Sequence, residues 1–172
     1  GKKQAALDRA FKDAAHVVKV ELVNQRLVVA SLEPRIATAS YDKWAAIWTV
    51  PAPNIRTRRP LDLKDHTDAV YGVAFSPDGS LVATCAGDRT VKVWSAETGK
   101  RLYTLSDSTA EAYSVTFSPD GRTIAAAGAD KQLRTWTVTD KAGRLAHSAF
   151  VHDGAVLQVA YAPDGASIFT SG

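Results

Sequence analysis

One motif recurs along this chain at a nearly constant interval, and that interval constrains the fold more than any other feature. The sequence Phe-Ser-Pro-Asp-Gly at residues 75–79 returns unchanged at residues 117–121 and, more loosely, as Tyr-Ala-Pro-Asp-Gly at residues 161–165. The intervals are 42 and 44 residues. A period of about 20 to 50 residues is typical of architectures in which similar units pack side by side. The chain is therefore predicted to consist of repeated units.

Three of the units also contain an aspartate that stands six residues before a tryptophan. These pairs keep one phase with the first motif over most of the chain, which chance explains poorly. Two independent markers thus indicate the same repeat. The pairs are Asp42 and Trp48, Asp88 and Trp94, and Asp130 and Trp136.

Each unit is predicted to contain four short β-strands. In the second unit an apolar run ends at the Ser-Pro-Asp-Gly turn, where proline restricts one φ angle and glycine accepts a positive one. Turns at residues 87–89 and 97–100 divide the remainder. Helical spacing of apolar residues is not sustained between residues 26 and 172 without a proline or glycine. The predicted strands of this unit are Val70–Phe75, Leu81–Thr84, Val91–Trp94 and Arg101–Leu105.

Four-stranded repeats of about 40 to 45 residues, with a histidine near the start and a tryptophan closing the third strand, resemble WD40 repeats, the blades of a β-propeller. The resemblance covers about residues 26–172. It implies an all-β, bacterial-type WD40 propeller that is incomplete, with about three full four-stranded blades and a partial one. The implied divisions are a helical segment or linker at 1–15 and the propeller at 16–172, with blades at about 24–63, 66–105, 108–150 and 152–172.

The number of blades bears on how the ring would close. A closed WD40 ring usually has about seven blades, so the resemblance implies that about half of a ring is absent. The chain also has no methionine. We expect either a longer natural protein or another subunit that supplies the remaining blades. The longer protein is favoured, because two copies of about 15 strands do not form whole four-stranded blades.

The resemblance also implies a hydrogen-bonded tetrad in each blade. Its members are a histidine before the first strand, a serine or threonine in the second, an aspartate in the following turn and the third-strand tryptophan. The aspartate can accept a hydrogen bond from the imidazole, which can bridge to the hydroxyl and the indole N–H, so that groups buried by blade stacking are satisfied. The second repeat carries all four, as His66, Thr84, Asp88 and Trp94.

The other repeats match the tetrad in part. The first lacks a histidine at the matching distance, and the third has Ser108 and Ala126 where histidine and threonine would stand. We therefore expect loss of Asp130 to cost less stability than loss of Asp88, because its network is incomplete. The remaining tetrad positions are Thr38, Asp42 and Trp48 in the first repeat, Asp130 and Trp136 in the third, and His152 and Thr170 in the fourth.

Residues at one rim of the implied propeller are candidates for binding a partner. In the family, this rim is formed by the start of each first strand and the turn that holds the aspartate, and propeller loops carry binding while strands are used in packing. Tyrosine and tryptophan are enriched as interface anchors. The alternative is that Tyr71 and Tyr113 pack between blades as core. The candidate positions are Tyr41, Trp44, Tyr71, Tyr113 and Leu157.

The sequence carries little that indicates catalysis. The four histidines lack the paired spacing of metal ligands, and the chain has neither a nucleophile elbow nor a glycine-rich phosphate loop. The turn aspartates recur once per blade, which separates them around a ring. Cys85 lies in mid-strand, where a buried thiol is expected. We therefore expect no enzyme activity, no metal and no cofactor.

The N-terminal segment differs from the repeats. Residues 1–15 are rich in alanine and predict a short amphipathic helix, and residues 16–23 predict a strand. The helix is interpreted as a linker or a remnant of a preceding domain, and the alternative is a helix that binds a membrane surface or a partner. No apolar run approaches the roughly 20 residues of a membrane span. The compartment stays undetermined, and a soluble, cytoplasmic protein is favoured over a secreted one.

Charge gives only a weak indication of partners. The net charge of +3 neither requires nor excludes an anionic partner. Arg56, Arg58 and Arg59 fall on the fourth strand of the first blade, which is expected between the prolines of residues 51–53 and Pro60. They are interpreted as a solvated edge that discourages strand addition. Nucleic acid is the less favoured partner, because no aromatic residues are interleaved with the arginines.

The sequence thus predicts a non-enzymatic protein-interaction scaffold that binds protein partners through its loop rim. The alternative is an accessory propeller domain of a larger multidomain enzyme or sensor, whose catalytic part lies outside these residues. The fold alone does not choose between the two, because one fold carries many functions.

Overall fold

The computed structural model describes residues 28–32, 35–49, 60–139 and 141–172. These residues form fourteen β-strands and no helix. The strands make three four-stranded antiparallel sheets and one two-stranded sheet, each a meander of consecutive strands, as short turns require. The prediction of an all-β fold with four-stranded blades is confirmed.

The strands are numbered in chain order. The first sheet consists of β1 (Val28–Leu32), β2 (Arg35–Ala39), β3 (Trp44–Thr49) and β4 (Leu61–Lys64). The second consists of β5 (Val70–Phe75), β6 (Leu81–Ala86), β7 (Val91–Ser95) and β8 (Arg101–Leu105). The third consists of β9 (Ala112–Phe117), β10 (Thr123–Gly128), β11 (Gln132–Val138) and β12 (Gly143–Phe150). The fourth pairs β13 (Gln158–Tyr161) with β14 (Ile168–Ser171).

Some sequence predictions fall on residues outside the described ranges. These are the helix at residues 1–15, the strand at residues 16–23 and the arginine-bearing segment before Pro60. The prediction that the fourth strand of the first sheet lies in this arginine-bearing segment is wrong. The fourth strand is β4, which begins after Pro60. In β4, Leu63 is fully buried while Asp62 and Lys64 are exposed. Alternation with a period of two residues marks the segment as a strand with one packed face.

A Ser-Pro-Asp-Gly turn connects the first two strands of the second sheet. Ser76 Oγ donates a hydrogen bond to Asp78 Oδ1 at 2.6 Å, and the same oxygen accepts the backbone N–H of Ser80 at 3.1 Å. These hydrogen bonds to the charged form, that from Ser76 first, hold the pKa of Asp78 below its usual range. Gly79 has a φ of 72°, a left-handed conformation that favours glycine. The motif therefore forms its turn with its own side chains.

The core lies between the sheets. One apolar cluster joins the first and second sheets, and another joins the second and third. Strand β6 contributes to both, because Val82 packs toward the first sheet and Ala83 and Cys85 pack toward the third. A strand buried on both faces has a nearly continuous apolar sequence rather than an alternating one.

The first strands of successive sheets, β5, β9 and β13, lie side by side. Because the strands within a sheet are antiparallel, the start of each first strand lies at the same end of the sheet as the turn between its second and third strands. We call this end the rim. The Ser-Pro-Asp-Gly turns lie at the opposite end, which we call the base.

Candidate functional site

The structure brings the four tetrad residues of the second sheet into one hydrogen-bonded chain. His66 Nδ1 lies 2.8 Å from Asp88 Oδ2, and His66 Nε2 lies 2.7 Å from Thr84 Oγ1. Trp94 Nε1 donates to Thr84 Oγ1 at 2.8 Å. A threonine hydroxyl has a single proton, so an oxygen that accepts from the indole directs that proton to His66 Nε2. The Nδ1 proton of the imidazole then points to the carboxylate.

The surroundings of His66 favour the neutral imidazole. Burial lowers the pKa of His66, and the opposing effect of the Asp88 carboxylate does not restore it to its usual value. For Asp88, burial acts to raise the pKa, but hydrogen bonds from Thr90, His66 and the backbone N–H of Thr67 leave it lowered. The network therefore pairs a neutral histidine with an ionised aspartate.

Two further polar residues complete this part of the second sheet. Lys92, on β7, is 7% exposed, and its Nζ donates to the backbone carbonyl of Asp65 at 2.9 Å and to the Asp65 carboxylate at 3.2 Å. Asp65 stands immediately before His66. The second sheet thus has a turn aspartate, Asp88, paired with an imidazole, and a loop aspartate, Asp65, paired with an ammonium group.

In the third sheet, the equivalent groups are paired differently. The turn aspartate, Asp130, accepts from Arg134 Nη1 at 2.6 Å and from the backbone N–H and hydroxyl of Thr109, each at 3.0 Å. Burial acts to raise the pKa of Asp130, but the hydrogen bonds from Thr109 and Arg134 leave it lowered. The loop aspartate, Asp107, accepts the indole N–H of Trp136 at 2.7 Å.

This arrangement corrects the expectation of an incomplete network around Asp130. The histidine position is Ser108, so the guanidinium of Arg134 provides the cationic partner for the turn aspartate. The hydroxyl position is Ala126, so the indole N–H is satisfied by the loop aspartate instead. Arg134 and Asp130 have side chains that are only 4% and 8% exposed.

The first and fourth sheets contain partial versions. Trp48 Nε1 donates to Thr38 Oγ1 at 3.3 Å, but Trp48 is 45% exposed, and Asp42 accepts instead from the Ser40 hydroxyl at 3.3 Å. In the fourth sheet, His152 Nε2 lies 3.0 Å from Thr170 Oγ1. The structure therefore joins these predicted residues only in pairs.

Three of the candidate rim residues form a row that crosses from sheet to sheet. The rings of Tyr41 and Tyr71 lie 5.6 Å apart at 84°, and those of Tyr71 and Tyr113 lie 5.2 Å apart at 81°. Both pairs have the edge-to-face geometry that aromatic rings prefer. Tyr41 is 42% exposed, whereas Tyr71 and Tyr113 are half-buried. Leu157, at the equivalent position of the fourth sheet, is exposed.

Trp44 does not share the contacts of this row. Its ring lies 5.5 Å from the Lys64 ammonium group. The two residues border a shallow depression that Asp42, Lys43 and Asp65 also line. The candidate rim set therefore divides into a tyrosine row and a separate, charged surface around Trp44.

Carboxylates flank the tyrosine row. The hydroxyl of Tyr113 donates to Glu111 Oε2 at 2.8 Å, and this hydrogen bond is the main reason why the pKa of Tyr113 rises to about 12. Burial, followed by the charges of Glu111 and Asp68, raises the pKa of Tyr71. The hydroxyls of Tyr71 and Tyr113 are therefore protonated donors at neutral pH.

Comparison with known proteins decides the family. The family described as WD domain, G-beta repeat matches residues 58–95 and 99–137, which include most of the second and third sheets. Residues 58–95 and 99–137 of the chain are therefore WD40 repeats. The predicted resemblance is thereby confirmed.

Relatives of this WD40 chain are longer than the chain itself. An uncharacterized WD repeat-containing protein of Synechocystis sp. is 35% identical over 101 residues, which cover 52% of this chain and 28% of the relative. THO complex subunit 3 of Arabidopsis thaliana is 39% identical over 67 residues, covering 38% and 21%. Human apoptotic protease-activating factor 1 is 47% identical over 49 residues, covering 28% and 4%. The aligned part is thus less than a third of each relative.

Four polar residues of the WD40 sheets were missed by sequence reasoning, although a signal for them exists. Asp65 and Lys92 recur 42 residues later as Asp107 and Arg134, in phase with the other markers. The recurrence of an acid and a base could have indicated that the second and third sheets each contain an ion pair. The base pairs with the loop aspartate where the histidine is present and with the turn aspartate where serine replaces it. Only the structure shows these contacts.

The other chemistry-bearing groups of this WD40 chain offer no catalytic geometry among the residues the structure describes. Cys85 is fully buried, and burial raises the pKa of its thiol well above the usual range. In the same ranges, no three histidine, cysteine, aspartate or glutamate side chains are grouped as a metal site requires. A helix long and apolar enough to cross a membrane is not found in the described part of the chain.

Proposed function

We propose that this WD40 chain is a non-enzymatic protein-interaction scaffold, which binds partner proteins through its rim. The observation that carries the proposal is the row of Tyr41, Tyr71 and Tyr113, which continues from one sheet to the next at a single end of the stack. Leu157 provides an exposed apolar residue at the equivalent position of the fourth sheet, and Trp44 forms a separate part of the candidate surface beside Lys64. Partly exposed aromatic rings offer a large contact area together with a hydroxyl donor, the combination that is enriched at interfaces.

The state of the buried polar groups supports binding rather than catalysis. His66, Asp88 and Asp130 are used by hydrogen bonds within their sheets. A general acid or base needs a proton that it can exchange with a substrate, and these groups have no route to one without breaking the network. The tyrosine row, in contrast, presents groups that remain available at the surface.

The names of the relatives also support an interaction role. One of them, THO complex subunit 3, is by its name a component of an assembly. An assembly component needs surfaces that recognise other proteins. We carry only this general role over to the present chain, whose partner is not identified by the likeness.

The proposal is tested by site-specific photo-crosslinking. A photoreactive phenylalanine analogue is placed at position 41 of the rim or, as a matched control, at position 102 on the outer strand β8. Tyr41 and Leu102 are 42% and 40% exposed, so accessibility does not distinguish them. We expect a discrete crosslinked partner at position 41, reduced at least about tenfold when Tyr71→Ala is also present. Equal crosslinking at both positions, or none at position 41, would overturn the proposal.

A second candidate function is that of an accessory propeller in a larger multidomain enzyme or sensor. It is favoured by one observation, the match to human apoptotic protease-activating factor 1, a much longer chain of which the aligned segment covers only 4%. On this alternative, Tyr71→Ala would change the regulation of an activity carried by another domain. Assay of the natural full-length protein with and without Tyr71→Ala separates the two candidates, because a pure scaffold has no activity to regulate.

A further inference from the structure

A groove at the base of the propeller lies between the third and fourth sheets, at the opposite end from the rim. Its volume is about 440 Å³. Asp120 and Thr123 line it from the third sheet, and Tyr161, Asp164 and Gly165 line it from the fourth. The groove is therefore bordered by two carboxylates, a hydroxyl and an aromatic ring.

The equivalent place between the first and second sheets is occupied by a side chain of the protein itself. Arg35 Nη2 donates to the backbone carbonyl of Gly79 at 2.8 Å, and Nη1 donates to that of Ala96 at 3.3 Å. The guanidinium carbon lies 5.8 Å from the ring centroid of Phe75. An arginine side chain thus fits this site, with backbone carbonyls as acceptors and an aromatic ring beside its plane.

The same position carries a different residue at each interface. Arg35, Leu81 and Thr123 are the first residues of β2, β6 and β10. At the second interface, Leu81 packs against the apolar cluster that contains Phe117. At the third interface, the short side chain of Thr123 hydrogen-bonds to Tyr161 and does not fill the space, so a groove with a polar lining is left.

The frame of the groove is nevertheless retained. A β-carbon at Gly121 would lie 3.5 Å from Cδ of Pro77, and one at Gly165 would lie 3.5 Å from Cδ of Pro119. The base turns of the third and fourth sheets therefore approach as closely as those of the second and third. The open space results from the side chains, not from a wider separation of the sheets.

The charges of the groove attract a cation. Hydrogen bonds from the Ser118 hydroxyl and the backbone N–H of Arg122 lower the pKa of Asp120, so it is ionised at neutral pH. The charge of Arg122 also acts on Asp120, but its side chain is exposed and has no position within the lining. Asp164 accepts the N–H of Ala166 through one carboxylate oxygen, Oδ1. A guanidinium has five donors in one plane, which suits the two carboxylates that border this groove.

We propose that the base groove binds the arginine side chain of a partner protein, in the manner in which Arg35 fills the equivalent site of the first interface. We take the occupant to be the arginine of a protein segment rather than free arginine, because the side chain that fills the equivalent site, Arg35, is itself part of a polypeptide. The proposal is independent of the tyrosine row, since the two sites lie at opposite ends of the strands.

The test is a titration of the ¹⁵N-labelled protein with N-acetyl-arginine-N′-methylamide, followed by NMR. We expect saturable shifts of the Gly165 and Thr123 amide signals, with a Kd of about 1 mM for this single side chain. The citrulline analogue has the same shape without the charge, and we expect it to bind at least about tenfold more weakly. Equal binding of the citrulline or lysine analogue, or of free L-arginine, would overturn the proposal.

Two variants locate the binding. Thr123→Arg supplies the guanidinium from within, as at the first interface, and we expect it to abolish the probe-induced shifts. Asp120→Asn combined with Asp164→Asn is expected to weaken binding at least about tenfold. The control variant Glu97→Gln, which removes a carboxylate outside the groove, should bind like the parent protein. Unchanged binding by Thr123→Arg, or no saturable shift at Gly165 in the parent protein, would show that the groove is not the site.

Discussion

The second and third sheets carry aspartates at the same two positions and use them differently. In the second sheet, the turn aspartate pairs with an imidazole and the loop aspartate with an ammonium group. In the third, the turn aspartate pairs with a guanidinium, and the loop aspartate accepts the indole N–H. The third sheet lacks the histidine and still has a complete network, because its third-strand base, Arg134, pairs with the turn aspartate. The equivalent base of the second sheet, Lys92, pairs with the loop aspartate instead. The polar groups of a blade are satisfied as a set rather than residue by residue.

The largest difference between the sheets is expected for Asp130→Ala. Removal of this carboxylate leaves the buried guanidinium of Arg134 without its partner, which should lower the free energy of unfolding by about 3 to 5 kcal/mol. Chemical denaturation measures this change. The double variant Asp130→Ala with Arg134→Met should be less destabilised than the single variant, since no orphaned charge remains. A loss smaller than that of Asp88→Ala would restore the ranking expected from the sequence.

A glycine position also distinguishes the two sheets. Gly128 in the third sheet corresponds to Ala86 in the second, and a β-carbon at Gly128 would lie 1.9 Å from the carbonyl oxygen of Glu111. Gly128→Ala should therefore lower the free energy of unfolding by about 3 kcal/mol, through forced movement of the backbone. Gly154→Ala is the matched control, with open space around the added carbon and an expected change within about 0.5 kcal/mol. Similar thermal midpoints for both variants would contradict this difference in spacing.

Asp88→Ala is expected to have a smaller effect than Asp130→Ala. Its histidine partner is neutral, so the variant loses hydrogen bonds without leaving a buried charge, and a loss of about 2 kcal/mol in unfolding free energy follows. Asp42→Ala in the first sheet, whose aspartate is exposed, should change stability by no more than about 0.5 kcal/mol. Urea denaturation of the two variants checks this ranking. Equal losses at both positions would mean that the buried network around His66 contributes nothing extra.

The smallest expected effect is a pH dependence confined to the second sheet. The pKa of His66 is lower in the folded state than its unfolded value of about 6.5, so the unfolded chain takes up this proton first as the pH falls. Stability should therefore decrease between pH 7 and pH 5, by less than about 1.4 kcal/mol per pH unit. The contribution of Asp130, whose pKa is lowered, is lost only below about pH 4.

Substitution separates the two contributions. His66→Gln should reduce the slope of unfolding free energy between pH 7 and pH 5, while Asp130→Ala should retain it. The measurement is urea denaturation of both variants at pH 5, 6 and 7. A slope that is unchanged in His66→Gln would assign it to other groups and remove the proposed state of this histidine.

Much of the fold follows from local sequence. The turn at residues 76–79 forms through its own serine, aspartate and glycine, so its recurrence marks the same junction in every sheet that contains it. The position of the fourth strand of the first sheet was less predictable, because the prolines at residues 51, 53 and 60 suggest an edge strand between them as readily as a linker. Burial of Leu63 selects β4 instead, and such a contact exists only after the sheets have stacked.

The candidate site divides in the same way. The alignment of Tyr71 with Tyr113 places both at the starts of first strands, and this follows from the repeat alone. Their edge-to-face contact, and the hydrogen bond between Tyr113 and Glu111, depend on the spacing of neighbouring sheets. Trp44 directly follows the turn that holds Asp42, but its ring lies beside Lys64 rather than in the tyrosine row. The two residues are opposite each other in the pairing of β3 with β4, and this pairing was not predicted from the sequence.

The sequence by itself determined the repeat, its four-stranded unit and its resemblance to WD40 repeats, because turn residues and strand patterns act over a few neighbouring positions. The tertiary structure alone decided which partner each buried charge takes and which interface is filled. Asp130 pairs with Arg134, and Arg35 fills one groove while Thr123 leaves another open. These outcomes depend on the distances between neighbouring sheets, because those distances decide which polar groups come within hydrogen-bonding range of each other.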